Sequence, residues 1–282
     1  MKTLLEGFVF MATKGNVCIM GGYDDLSKSF FEDIQKSKKK SIFLNFNKSK
    51  SQNKNIFNLE VYELKKILNL LKVKKISEII FLGKIDRPNL KNFKLDGEID
   101  KYLPILHAAY KKGDDFLLKS ILNIFKQYGY LIKSPLDLKT SYFLKKKDLK
   151  SDPDFMTKMD IKKGKDILIA MSKFDNAQSV VIIDGYIHAI EAAEGTDRML
   201  KRVIDIRKRN KTLNENKGVL IKMAKQNQSR LVDLPVLGTK TIEIVAKANL
   251  ASIAFNPLLT LILDKKNFLK EAKKENINLF SV

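Results

Sequence analysis

Residues Val180–Arg209, VVIIDGYIHAIEAAEGTDRMLKRVIDIRKR, change their apolar period part-way along, and that change sets the fold class. Val180–Ile183 is an apolar run, Asp184–Gly185 a turn pair, and Tyr186–Ile190 apolar again. A turn pair of this type between two β-rich runs is the strongest short-range signal for a hairpin. The second strand ends at Glu191, and Glu194-Gly195-Thr196-Asp197 opens a helix. On that helix Met199, Val203 and Ile206 share one face, with Leu200 and Ile204 beside them. Glu191, Glu194 and Asp197 thus stand at a strand-to-helix junction, with Arg198 and Arg202 just behind. Acidic groups suit a helix N-terminus, at roughly 0.3–1 kcal/mol each. Pairs Glu194–Arg198 and Asp197–Lys201 at i,i+4 would add only a few tenths of a kcal/mol. The same three carboxylates also suit a phosphate- or metal-handling site, and the junction by itself leaves both readings open.

Outward from this stretch, strands alternate with helices. Val17–Met20 reads as a buried strand running into Gly21–Gly22, followed by a helix over Leu26–Lys38 and a strand over Ser41–Phe46. Leu59–Val73 is a helix with Leu64, Ile67, Leu68 and Leu71 on one face, and Glu78–Leu82 is a strand ending at Gly83. Asp114–Tyr128 is helical, Gly129 stops it, and Tyr130–Lys133 is a short strand. Lys145–Asp154 is the best linker candidate. Beyond it come a helix over Ile161–Phe174, the hairpin and its helix, a strand over Gly218–Met223, a helix over Thr239–Ala248, a strand over Ala251–Phe255, a helix over Asn267–Glu275 and a closing strand over Ile277–Phe280. Such alternation means βαβ units and parallel sheet, so the class is α/β. The organisation expected is a first domain over 1–144, a linker region over 145–158 and a second domain over 159–282. Ligands of such sheets bind outside the carboxyl ends of strands, where Gly21, Gly22, Gly83 and Arg87 fall. The glycine pair lacks the GxGxxG pattern of dinucleotide sites, while a phosphate or nucleoside at bare backbone N–H groups remains open.

Composition narrows the classes. Hydrophobic content of 44% with 30% charged residues is that of a globular protein. The net charge of +21 invites a nucleic-acid reading, but of 53 basic residues only Arg87, Arg198, Arg202, Arg207, Arg209 and Arg230 carry the guanidinium fork that phosphate and base readout favour. No nucleic-acid partner is expected. One cysteine, Cys18, makes neither an internal disulfide nor a thiolate metal cluster, and it is read as a buried strand residue of a cytoplasmic protein. His107 and His188 are too isolated for a histidine metal site. The run Ile253–Leu263 is too short to span a membrane and contains Asn256 and Pro257. At the start, MKTLLEGFVFMATKG is interrupted by Glu6; no cleaved leader is expected, residues 1–10 are expected to be dispensable, and Met11 is an alternative start.

A second polar string, KQNQSRLVDLPVLGTKTIE, follows the Gly218–Met223 strand. Pro235 fixes the backbone just after Asp233, so Asp233 either serves a turn or presents its carboxylate in one direction. Thr241 and Glu243 lie on the helix beyond Gly238.

Here the chain resembles a known family, the UDP-2,3-diacylglucosamine pyrophosphatases of the LpxI type. The matching strings are LGKIDRPNL (82–90), GDDFLLKSIL (113–122), AIEAAEGTDRMLKR (189–202), GVLIKMAK (218–225), VDLPVLGTKTIE (232–243) and ASIAFNPLLTLILD (251–264), in the family's order over residues 15 to 280. The resemblance implies hydrolysis of the pyrophosphate of UDP-2,3-diacylglucosamine to UMP and 2,3-diacylglucosamine 1-phosphate (lipid X) in lipid A biosynthesis. It implies a Rossmann-like N-terminal domain, a C-terminal α/β domain, a ligand between them, a homodimer and dependence on a divalent cation, Mg²⁺ or another such as Mn²⁺ or Co²⁺. The family's essential aspartate corresponds to Asp233. Three departures stand out: Tyr23 and Leu26–Ser27 replace parts of the glycine-rich opening, Ala177 stands for glycine in Asp175-Asn176-Ala177-Gln178, and Leu231 stands where an arginine is usual, with Arg230 displaced by one.

The site expected from residues and resemblance together has Asp233, Glu194 and Asp197 as catalytic carboxylates. Asp233, Glu191 and Glu194 are the candidate metal ligands. Gly21, Gly22, Gly83, Arg87, Gln178, Arg198, Arg202, Lys222 and Thr241 are the candidate contacts to the nucleotide-sugar lipid, arginine being able to grip phosphate bidentately. The acylated substrate implies transient association with the cytoplasmic face of the inner membrane. The helix Val61–Lys75 is either an amphipathic surface for that contact or a crossover helix packed on the sheet. The competing classes are another nucleotide-sugar or dinucleotide Rossmann enzyme and a basic nucleic-acid-binding protein, the latter marked by steep salt dependence.

Overall fold

A computed structural model describes residues 15–47, 51–85, 97–138, 140–150, 152–225 and 234–282. Arg87, Asp233, the neighbouring Arg230 and Leu231, and the start expected around Met11 lie outside the described residues. The chain divides into two compact units, Met1–Leu103 with Asn123–Ile132, and Pro104–Leu122 with Lys133–Val282.

The first unit is built on β1 (Asn16–Gly21), α1 (Asp25–Lys36), β2 (Ser41–Asn45), β3 (Ile56–Asn58), α2 (Leu64–Val73) and β4 (Ile76–Phe81). After α3 (Leu103–Lys112) and α4 (Asp114–Gln127), β5 (Leu131–Ile132) completes its sheet. All five strands are parallel, in the order β3-β2-β1-β4-β5, the Rossmann-type order. Strands of such a sheet are covered on both faces, which is why β1 and β2 read as unbroken apolar runs. Cys18 is fully buried in β1, as expected, and burial pushes its thiol well up. Helix α2 begins at Leu64, five residues later than its periodicity suggests, and buries Leu64, Ile67 and Leu71 with β4 beside it. Its apolar face is thereby spent on the sheet.

The second unit adds α5 (Pro135–Leu138), α6 (Phe155–Ser172), β6 (Ser179–Ile183), β7 (Tyr186–Ile190), α7 (Thr196–Arg209), β8 (Val219–Lys222), β9 (Val236–Leu237), α8 (Thr239–Lys247), β10 (Ser252–Phe255), β11 (Leu261–Ile262), α9 (Lys265–Lys274) and β12 (Asn278–Ser281). The main sheet runs β12-β10-β8-β6-β7. Strands β12, β10 and β8 are parallel, and the β6–β7 hairpin joins antiparallel to β8. Val180 and Ile182 face α6 together with Ile221 and Phe280, while Val181 and Ile183 face the cluster of Met199, Val203, Val245 and Phe268. This mixed sheet with helices on both faces is the α/β architecture the apolar runs predict.

Two local devices set the geometry of the hairpin. Asp184 and Gly185 both take left-handed backbone angles, φ +49° and +78°, as a two-residue hairpin turn requires. Helix α6 grips that turn, with the Gly185 N–H donating to buried Asp160 Oδ1 at 2.8 Å and Lys163 Nζ to Gly185 O at 2.6 Å. The helix begins at Phe155, six residues before the expected Ile161, because Asp154 caps it through Thr157 N at 3.0 Å. Residues read as the start of the linker are bound into this unit: Lys150 N donates to Leu279 O at 2.8 Å, and Asp148 pairs with Lys265 at 3.1 Å. Among the described residues no helix is long and apolar enough to cross a membrane.

Candidate active site

The carboxyl edge of the second sheet gathers most of the residues singled out by sequence. Lys222 ends β8 and stands opposite Ser179, the first residue of β6. Glu191 leaves β7 at the same edge, its N–H donating to Ser179 O at 2.9 Å. Gln178 lies beside them, its carbonyl accepting from Met223 N at 2.9 Å. Helix α7 then starts at Thr196, and the buried Lys222 ammonium donates to Thr196 Oγ1 at 2.8 Å. Thr241 is buried in the first turn of α8.

The N-termini of α7 and α8 lie next to each other, because Lys240 in the first turn of α8 pairs with Asp197 in the first turn of α7 at 3.1 Å. Neither helix has a side-chain cap; a glycine, Gly195 or Gly238, occupies each cap position. The first N–H groups of a helix have no intrahelical partner, so such ends attract anions. The acids of the junction are distributed differently from the i,i+4 expectation. Glu194 pairs with Arg202 at 2.6 Å, eight residues on, and Arg202 also donates to Ile190 O at 2.8 Å. Asp197 is taken by Lys240. Glu191 keeps a buried oxygen, Oε2, without a hydrogen-bond partner among the described residues. Arg198 is exposed at the first turn of α7.

Beside this edge lies a second charged node. Asp175 Oδ1 and the Asp175 carbonyl accept from Lys225 Nζ at 2.7 and 2.8 Å, while Oδ2 accepts from Asp115 N, at the start of α4, at 3.0 Å. Burial alone would raise the Asp175 carboxyl, but these donors outweigh it and hold it below the ordinary carboxylate value. Lys225 is the last described residue before the segment that bears Asp233.

In the first unit, Gly21, Gly22 and Gly83 meet where the strand order reverses, between β1 and β4. A Cβ on Gly21 would lie 1.9 Å from Leu82 O, one on Gly22 2.0 Å from Lys84 O, and one on Gly83 2.0 Å from Gly22 O. The chain's own backbone therefore demands these glycines, whatever else approaches them. The N-terminus of α1 is closed by Asp24, whose Oδ1 accepts from Ser27 N and Oδ2 from Lys84 N, both at 2.9 Å. Beside it, fully buried Asn45 binds Asn58 Oδ1 at 2.7 Å and receives Tyr23 N at 3.2 Å. This edge thus offers amides and a carboxylate.

Two family models cover the chain, the LpxI N-terminal domain over residues 16–141 and the LpxI C-terminal domain over residues 147–280. The UDP-2,3-diacylglucosamine pyrophosphatase LpxI of Caulobacter vibrioides is 33% identical over 220 residues, 77% of this chain and 78% of that protein. The chain belongs to the LpxI family. The LpxI C-terminal match contains the whole edge from Gln178 to Thr241. Sequence reading of this LpxI chain missed Ser179, Thr196, Lys225 and Asn45. Ser179, Asn45 and Lys225 each adjoin an apolar run, and that break was the available signal; Thr196, between Gly195 and Asp197, carried none.

Proposed function

We propose that this chain hydrolyses the pyrophosphate of UDP-2,3-diacylglucosamine, releasing UMP and 2,3-diacylglucosamine 1-phosphate in lipid A biosynthesis. The observation that carries the reading is the pair of uncapped helix N-termini, α7 and α8, set side by side next to the buried ammonium of Lys222. Two partial positive ends and a lysine suit the diphosphate bridge of a nucleotide-sugar lipid. Arg198, Arg202, Gln178 and Thr241 border the same edge and serve as further contacts.

Water attacks the phosphorus nearer the glucosamine, the bond from that phosphorus to the bridging oxygen breaks, and UMP leaves with the bridging oxygen. Asp233 orients the water and takes its proton. Lys222 and the helix ends offset the charge that builds on the phosphate oxygens. A divalent cation, Mg²⁺ or another such as Mn²⁺ or Co²⁺, would be held by carboxylates drawn from Asp233, Glu191 and Glu194, and would supply further charge neutralisation. Glu191 Oε2, which has no hydrogen-bond partner among the described residues, suits such an ion. Among the described residues no group of three or more His, Cys, Asp or Glu is disposed around a metal. An ion held by one or two carboxylates and the substrate's own phosphates needs no such group. Asp197 holds α7 against α8. The working unit is a homodimer in the cytoplasm that meets its acylated substrate at the inner-membrane surface.

The test is the purified chain with UDP-2,3-diacylglucosamine, scored for UMP with and without EDTA. UMP release that EDTA abolishes and Mg²⁺ restores is expected. No release under any metal condition sinks the assignment, and release indifferent to EDTA removes the metal from it.

A further inference from the structure

We propose that Thr196 is a positioning residue that aims the Lys222 ammonium at the anion-binding edge, with Ser179 holding Thr196 from behind. The inference rests on the phosphate-facing role given above to Lys222, and no sequence motif assigns either hydroxyl. Lys222 and Thr196 are each only 7% exposed, and Ser179 is fully buried. Lys222 Nζ donates to Thr196 Oγ1 at 2.8 Å, and Ser179 Oγ lies 3.1 Å from Thr196 Oγ1. Three elements fix the three atoms independently. Ser179 and Lys222 face each other across the β6–β8 ladder, and Thr196 is the first residue of α7.

A lysine side chain has four rotatable bonds and a freely rotating ammonium, so burial of its stem does not by itself choose where the N–H groups point. Anchoring one N–H on a hydroxyl held by a strand and a helix limits how the ammonium can turn. A threonine hydroxyl has one proton and two lone pairs. With one lone pair taken by Lys222, Oγ1 either accepts a proton from Ser179 or gives its own to it. When Ser179 donates, the Thr196 proton is directed away from the pair. Thr196 thus orders Lys222 and remains adjustable to an anionic oxygen arriving at the uncapped start of α7.

Thr196→Val keeps the shape and removes the hydroxyl; Thr196→Ser keeps the hydroxyl. The full chain is assayed for UMP release, with kcat and KM separated, and for affinity toward inorganic pyrophosphate by calorimetry. Lys222→Met is expected to lose on the order of a hundredfold in kcat/KM. Thr196→Val should lose roughly tenfold or more, Thr196→Ser no more than about threefold, and the double variant should be no worse than Lys222→Met alone. That non-additivity is what a purely structural threonine would not produce. Thr196→Val at the wild-type kcat/KM, or a loss that multiplies with that of Lys222→Met, overturns the proposal. If Thr196→Val does not fold, Ser179→Ala decides: a loss absent from the Lys222→Met background supports the role, and unchanged kinetics overturn it. If the wild type releases no UMP, the reaction assignment falls and the pyrophosphate measurement carries the test. The same coupling in affinity upholds the positioning role, and absence of binding or of coupling refutes it.

Discussion

Replacing Asp175 with asparagine should destabilise the second unit by about 2 kcal/mol at neutral pH and remove one component of its acid sensitivity. The Asp175 and Lys225 side chains are 20% and 16% exposed and meet at 2.7 Å. A charge-assisted hydrogen bond is worth roughly 1.5–3 kcal/mol, and the residual exposure favours the middle of that range. Asparagine retains an oxygen for the Asp115 N–H, so the start of α4 stays capped, whereas Asp175→Ala should lose about 1 kcal/mol more. The pH dependence follows from the donors that hold the folded carboxyl below its unfolded value in spite of burial. Stability from such a group is complete above the unfolded value, near pH 4, and disappears as pH falls through the folded value. Urea denaturation followed by circular dichroism at pH 7 and at a series of pH values below 4 measures both effects. The wild type should converge on Asp175→Asn as pH falls. Equal stability of the two proteins at pH 7, or a constant gap down to the lowest pH, would refute the reasoning.

Other perturbations separate chemistry from scaffold. Asp233→Asn, nearly isosteric, should leave melting close to wild type and lower UMP release on the order of a hundredfold, and near-normal turnover would remove Asp233 from the mechanism. Asp160 is buried, and burial followed by the charge of Asp184 raises its carboxyl. The ionised form therefore carries a penalty at neutral pH that is relieved on acidification, and Asp160→Asn, keeping an acceptor for Gly185 N, should be neutral or stabilising in a melting assay above pH 5. Ala177 holds φ +57°, so Ala177→Gly should raise stability by up to about 1 kcal/mol, and a lower melting temperature would contradict this. Arg207 is 1% exposed and donates to the carbonyls of Thr212, Glu215, Lys217 and Asn249. Arg207→Met should cost about 3–4 kcal/mol in urea denaturation, because those carbonyls lose their donors.

What the sequence made legible follows from burial on both faces of each sheet. Val180–Ile183, Val219–Lys222 and Ser252–Phe255 are interior strands, so each reads as an apolar run closed by a turn or a polar residue. β9 and β11 were not legible: two residues each, Val236–Leu237 and Leu261–Ile262, are too few to show a period. β3 is scarcely longer and ends in Asn58. The start of α6 was hidden because Phe155, Met156 and Met159 are 73%, 52% and 49% exposed and break the expected stripe. The Asp154–Thr157 cap was the signal that marks it. Ala177 stands where the resemblance implies glycine, and its left-handed angle is one that glycine adopts without strain.

The site was legible only as a list of side chains, because its pairings run through space. Glu194 reaches Arg202 instead of Arg198, and Lys222 meets Thr196 from 26 residues away. Arg207 teaches the same point most sharply. In KRVIDIRKR it looks like one more solvated charge, with Ile206 beside it as the apolar member. Yet it lies four residues after Val203 and eight after Met199, on the buried stripe, and Ile206 is only partly buried. A charge on an apolar stripe must be hydrogen-bonded, since an unpaired one would cost more than the helix gains from packing. The stripe therefore predicts that something folds back over Arg207, and the carbonyls of the loop leading into β8 do so. Ser179 opening one apolar run and Lys222 closing another obey the same logic at the opposite edge of the sheet. There the partner is a hydroxyl and the surroundings are two uncapped helices, which turns a structural obligation into a candidate for chemistry.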